Sequence, residues 1–334
     1  MITTLSATTT DRIVSELIDQ GAAAGRNRVL TLLVSTDADG LEDALEAAHG
    51  ASRDHPCRVV AVVNPPADET AVGARSRDGH APADSAGHLD AEIRVGHDAG
   101  AGETIVLRPW GQAAEHTDTL VVPFLLPDVP VVAWWPGQPP ANPFDSPIGR
   151  LATARVTNTP SQPDPAEALA ALAPVYEPGD IDLAWTRITL WRATVASTLD
   201  AVLREHEVKE ILVAGEPGNA SLSLMIRWLA LRLGIPVGRR DVADSVGISS
   251  ITATTEDGTV EITRKDASRV VITQPGPAAP QVVTMARRAL VAIMSEELRR
   301  LAPDPVYAEV LAAFAKDHHG PAGSQIQDRS GARG

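Results

Sequence analysis

The residues that could do chemistry are few in this sequence. The run Gly215-Glu216-Pro217-Gly218-Asn219 follows the apolar Ile211–Val213 and precedes a helical pattern opening near Ser221. A strand, a glycine loop and a helix start in that order point free backbone N–H groups at an anion. The loop is neither a Walker A sequence nor G-x-G-x-x-G, and Glu216 would repel a phosphate. Two readings therefore stand side by side. One is a capped tight turn; the other is an anion or ligand loop formed by Gly215, Gly218, Asn219 and Ser221.

The remaining reactive side chains are scattered. Nine histidines form no zincin or His-x-His spacing, and one cysteine cannot build a structural zinc site, so no metal is expected. Cys57 lies in HPCRVV, where His55 and Arg58 could lower its thiol pKa and make it redox-sensitive. Its plainer role is that of a small hydrophobe entering a strand. There is no G-x-S-x-G elbow, and pairs such as Asp180/Asp182 carry no acid–base meaning in an acidic chain. No catalytic residue and no cofactor are expected.

Tryptophan gives the stronger signal: six against three phenylalanines and two tyrosines. Tryptophan is favoured in interface hot spots because it buries much area and keeps a donor. Trp134-Trp135-Pro136 ends an apolar run, and strand alternation sends adjacent residues to opposite faces, so one of the two is expected to face outward. Trp185, Arg187, Trp191 and Arg192 form the second group, with Arg187 and Trp191 on one helical stripe at i, i+4. These seven residues are the expected partner-binding set.

The elements that must position them belong to two α/β domains. Parallel strands are expected at 28–35 and 58–64 around a helix at 41–51, since unbroken Val/Leu runs suit a sheet buried on both faces. Further strands are expected at 89–95, 103–107 and 148–157, with a helix at 112–120. The first domain, with its largely parallel sheet, covers 1–158, interrupted by a Pro/Gly/Ala-rich mobile loop at 65–87. A proline-rich linker, 159–180, leads to a second domain at 181–317. That domain reads as a helix at 185–204, the strand–loop–helix, an antiparallel meander at 247–274 and C-terminal helices at 282–301 and 306–316. A disordered tail, 318–334, follows.

Charge narrows the classes of partner. Twenty-nine basic against 43 acidic residues leave a net charge of −14, which disfavours nucleic acid and anionic lipid. The stretch 119–137 is broken by Asp128 and four prolines and is no membrane span. A start without a basic leader or apolar run, and a single cysteine, fit a cytoplasmic protein.

HPCRVVAVV, VPVVAWWPG, IGRLA, DLAWTRITLWR and GEPGNASLSLMIRWLALRLG, in this order, resemble the OpcA family of glucose-6-phosphate dehydrogenase assembly proteins in its actinobacterial form. The resemblance runs over roughly residues 8–316. It implies two α/β domains and a non-enzymatic accessory subunit. Such a subunit would bind glucose-6-phosphate dehydrogenase, promote its active oligomer and so support the oxidative pentose phosphate pathway and NADPH supply. Cyanobacterial relatives are thiol-regulated; with Cys57 alone, this chain departs from an intramolecular dithiol switch. The competing expectation, read from the 215–219 loop, is a sugar-phosphate or nucleotide-sensing binding protein.

Overall fold

The longest apolar runs become the centre of an eight-stranded sheet. A computed structural model describes residues 1–20, 28–65, 87–96, 102–204, 206–277 and 279–319. Its first sheet comprises β1 (Ile2–Leu5), β2 (Leu30–Thr36), β3 (Cys57–Val63), β4 (His88–Val95), β5 (Glu103–Trp110), β6 (Val131–Trp135), β7 (Ala154–Thr157) and β8 (Asp180–Asp182). The spatial order is β1-β4-β5-β3-β2-β6-β7-β8. All pairings from β5 to β8 are parallel, while β1 and β4 form an antiparallel edge.

Both faces of the central strands are covered, which is why their sequences show no polar alternation. Helix α1 (Thr10–Asp19), capped by the Thr9 hydroxyl, sets Ile13 and Leu17 against Leu33, Val60 and Trp135. Helix α2 (Leu41–Ser52) covers the other face with Leu41, Ala44, Leu45 and Ala48, against Leu32, Val59 and Trp134. Gly40 occupies the N-cap position of α2 and donates its N–H to Asp37 Oδ1 at 2.7 Å.

The second sheet contains β9 (Val208–Gly215), β10 (Val237–Asp241), β11 (Ile248–Thr255), β12 (Gly258–Arg264), β13 (Arg269–Thr273) and β14 (Gln281–Thr284), ordered β10-β9-β11-β12-β13-β14. Only β9 and β10 are parallel; β11 to β13 form the expected antiparallel meander, which β14 extends at one edge and β9 adjoins at the other. Its buried face joins the same hydrophobic cluster that covers the α2 side of the first sheet.

Several segments differ from their sequence pattern. The helix expected at 112–120 breaks at His116 into α3 (Gln112–Glu115) and α4 (Thr117–Val121). The strand expected at 148–157 begins only at Ala154, because Gly149–Leu151 makes a 3-10 turn. A Cβ on Gly149 would lie 1.7 Å from the Pro143 carbonyl oxygen, so the tight approach excludes any other residue there. The proline-rich stretch 159–180 contains helix α5 (Pro165–Leu172), N-capped by Asp164, and ends by adding β8 to the first sheet.

The helix expected at 185–204 starts earlier and divides at Ile188 into α6 (Leu183–Arg187) and α7 (Thr189–Val202). Helix α8 (Ala220–Leu233) follows β9 and stops at Gly234 with φ +67°, as its glycine signal requires. The helix expected at 282–301 becomes β14, an irregular stretch 285–289, and α9 (Leu290–Leu298). Val282 and Val283 are β-branched and add to the β13 edge instead of a helix. Helix α10 (Pro305–His319) closes the described chain. The expected mobile loop and the tail fall largely outside the described residues.

Candidate functional site

Asp182 organises the elements around two clefts. It is fully buried, and its carboxylate accepts from Thr157 Oγ1 and Thr159 Oγ1, both at 2.7 Å, from Thr159 N at 2.9 Å and from Ala184 N at 2.8 Å. Burial pushes its pKa up, and the four donors oppose that rise. One carboxylate thereby fastens β7, the following 3-10 turn and the N-terminus of α6. The break at Ile188 (φ −95°, ψ 8°) then redirects the chain into α7. Helix α6 and the first turn of α7 divide their side chains between a cleft on either side.

The first cleft, about 350 Å³, lies between α6–α7, the 215–219 loop, the start of β11 and residues 285–288. Arg187, Trp191, Asn219 and Ser221 all line it, so the structure merges part of the expected partner set with part of the expected ligand loop. Asn219 N-caps α8 by accepting from Leu222 N at 3.0 Å, and Ser221 Oγ donates to the Ala184 carbonyl at 2.8 Å. Glu216 turns inward: Oε2 accepts from Asn219 Nδ2 at 2.9 Å and Gly247 N at 2.8 Å. Gly218 takes a left-handed conformation with φ +69°, and Gly215 packs so close to β11 that a Cβ would lie 2.3 Å from the Gly247 oxygen. These two glycines shape the loop and do not line the cleft.

Three further arginines line this cleft, and sequence reasoning missed them. Arg264 ends β12, while Arg287 and Arg288 sit in the stretch where a helix was expected. The Arg-Arg pair was visible, but a helix there would have pointed the two in different directions. Arg288 pairs with Glu296 and donates to the Thr186 and Ala292 carbonyls. Arg264 donates to the Met285 carbonyl at 2.9 Å and lies 5.3 Å over the Trp191 ring. Arg287 donates to the Val246 carbonyl at 3.2 Å. Arg187 differs from all three. It makes no hydrogen bond or ion pair among the described residues, its Nε is buried and unsatisfied, and burial lowers its pKa.

The second cleft, about 690 Å³, opens between the β8 edge, α6–α7 and the α9–α10 connection. The Trp185 indole donates to Asp304 Oδ2 at 2.9 Å, and the Arg192 guanidinium stacks 3.6 Å from the Trp185 ring centroid. Burial lowers the Arg192 pKa to about 10, and its Nε is buried without a hydrogen-bond partner. Glu297 accepts from Thr186 Oγ1 at 2.6 Å; burial raises its pKa to about 7, with Glu296 and Asp304 adding to the rise.

Trp134 and Trp135 do point to opposite faces, but neither reaches solvent: they are 0% and 3% exposed. The expectation that one faces outward fails because helices cover both faces of this sheet. Trp185 and Trp191 are buried too, leaving Pro136, Arg187 and Arg192 of the seven partly exposed. Pro136 contributes its carbonyl to Asn158 Nδ2 and Ser161 Oγ. Cys57 also departs from the redox expectation. It is fully buried, and desolvation pushes its thiol up to about 12, far from a reactive thiolate. Arg58 cannot lower it, because its guanidinium is engaged by Glu103.

Among the described residues one group could offer three metal-ligand atoms: His206, Glu256 and Asp257, within 4.8 Å of one another. The histidine spacing in sequence hid it, since the β11–β12 turn supplies both carboxylates. Both are exposed, and His206 Nδ1 already contacts Asp257 at 2.7 Å. No described helix is long and apolar enough to cross a membrane.

Two sheets on a shared core, with clefts at their junction, define a two-region α/β protein. Residues 48–174 match the family model of the glucose-6-phosphate dehydrogenase subunit N-terminal domain, and residues 178–311 match that of the C-terminal domain. The chain belongs to this OpcA family of glucose-6-phosphate dehydrogenase subunits. A Synechocystis protein described as an OxPP cycle protein OpcA is 28% identical over 142 residues, 39% of this chain and 29% of the relative. The match thus spans under a third of that relative's length. Among solved structures, a glucose-6-phosphate 1-dehydrogenase from Mycobacterium avium superposes with a TM-score of 0.48 at 11% identity, covering 87% of this chain and 92% of that one.

Proposed function

We propose that this chain binds glucose-6-phosphate dehydrogenase in the cytoplasm and promotes its active oligomer, supporting the oxidative pentose phosphate pathway and NADPH supply. The observation that carries this reading is the pair of subunit family models lying end to end along the chain. The physical requirement is a difference in affinity between states of the dehydrogenase, since equal binding to all of them shifts nothing. A tenfold preference corresponds to about 1.4 kcal/mol.

Of the expected partner residues, Arg192 and its cleft are the best placed to make the contact. The guanidinium is braced on Trp185, so little side-chain entropy is lost when it engages a partner. The test is a dehydrogenase assay with and without the chain, run beside light scattering of the mixture. Added chain should raise activity and shift the dehydrogenase to a larger species, and the chain alone should reduce no NADP. Arg192→Ala should weaken the complex about tenfold or more while the free chain melts normally. Reduction of NADP by the purified chain alone, or a mixture that leaves the dehydrogenase unchanged, would overturn the reading.

A further inference from the structure

We propose that the cleft between α7, the 215–219 loop and residues 285–288 binds a soluble phosphomonoester, held by Arg187, Arg264 and Arg287. The chain carries a net charge of −14, yet four guanidinium groups converge on this one concavity. The carboxylate among its lining residues, Glu216, and those nearby are each held by hydrogen bonds or an ion pair. Glu216 faces its own loop, Glu296 faces Arg288, and Asp182, whose charge acts on Arg187 through space, is saturated by four donors. Asp266, beside Arg264 and Arg287 in the adjoining groove, is engaged by Arg269 and the Ser268 backbone.

Arg187 is therefore a largely buried cation with no hydrogen-bond or ion-pair partner among the described residues. Holding such a charge away from water is costly unless something neutralises it. Guanidinium forks match phosphate oxygens in geometry and charge. The first turn of α8 lines the same wall and adds the positive end of its dipole. A volume of about 350 Å³ lies at the small end of ligand sites, enough for a phosphate on a sugar-sized body but not for a protein loop. Leu190 and Val246, both exposed and both lining the cleft, give that body an apolar wall.

The proposal is independent of any dehydrogenase, so its test uses the chain alone. Melting is followed in inorganic phosphate, in a hexose 6-phosphate, in the free hexose, and in chloride at matched ionic strength. Affinity is then measured by calorimetry with the hexose 6-phosphate. The phosphate-bearing probes should raise the midpoint by several degrees over chloride, and the free hexose should not. Arg187→Gln and the exposed Arg287→Gln should each lose tenfold or more in affinity, while Arg204→Gln, just beyond the far end of α7, behaves as wild type. Arg287→Gln keeps the test valid should Arg187→Gln fold poorly. Equal melting in phosphate and chloride would overturn the proposal, as would unchanged affinity in Arg287→Gln.

Discussion

Trp134 and Trp135 show how a side chain's role follows from what covers its face. Each fills a different hydrophobic cluster on opposite sides of β6. Trp134→Ala and Trp135→Ala should each cost about 3–5 kcal/mol of stability, read from urea unfolding, with any loss of partner binding tracking the unfolded fraction. Glu297 makes a different prediction. Its folded pKa, pushed up by burial to about 7, lies above the ordinary glutamate value of 4.5, so between those values the folded state binds more protons than the unfolded one. Stability should fall as pH rises through that window, by on the order of 3 kcal/mol when complete. Glu297→Gln should flatten the profile, as shown by urea midpoints at about pH 5 and about pH 8.

The element scale is governed by the turn around Asp182. Helix α6 has only five residues and would not persist by propensity alone. It is fixed because Asp182 caps its N-terminus while also gripping β7 and the 3-10 turn. Asp182→Ala strands several buried donors and should cost about 3–5 kcal/mol, whereas Asp182→Asn keeps an acceptor and should cost about half as much. Chemical denaturation of the two variants measures the difference. The i, i+4 relation of Arg187 and Trp191 was legible in the sequence, and both do line one cleft. The break at Ile188 was not, because no proline or glycine marks it.

Across the whole molecule, α9 ties the two sheets together. It packs on α2 on one side and on α6 on the other, and Ser295 donates to Asp54 across the junction. Gly50 on α2 makes this possible: a Cβ there would lie 2.4 Å from Val291 Cγ1. In an isolated helix Gly→Ala would stabilise by about 0.5–1 kcal/mol. Here Gly50→Ala should instead destabilise by about 1–2 kcal/mol. In a Val291→Ala background the same change should become neutral or favourable, and that reversal in a double-mutant melt would identify the contact as the cause.

The apolar runs of β2 and β3, the alternation of the meander, the Thr9 cap and the Gly234 stop are local in origin. Their patterns act over a few residues, so the sequence alone determined the two α/β regions and the elements that compose them. The glycine loop was legible in the same way, as a strand–turn–helix. What only tertiary structure decided was exposure and convergence. Whether a tryptophan on a strand is buried depends on helices distant in sequence, and the desolvation that keeps Cys57 inert depends on the sheet around it. The arginine cleft is the clearest case. Arg187, Arg264 and Arg287 meet because α6 ends at Ile188 and because Val282–Val283 extend a sheet where a helix was expected. Neither event has a local signal, since each is settled by long-range pairing and packing that outweigh intrinsic propensity.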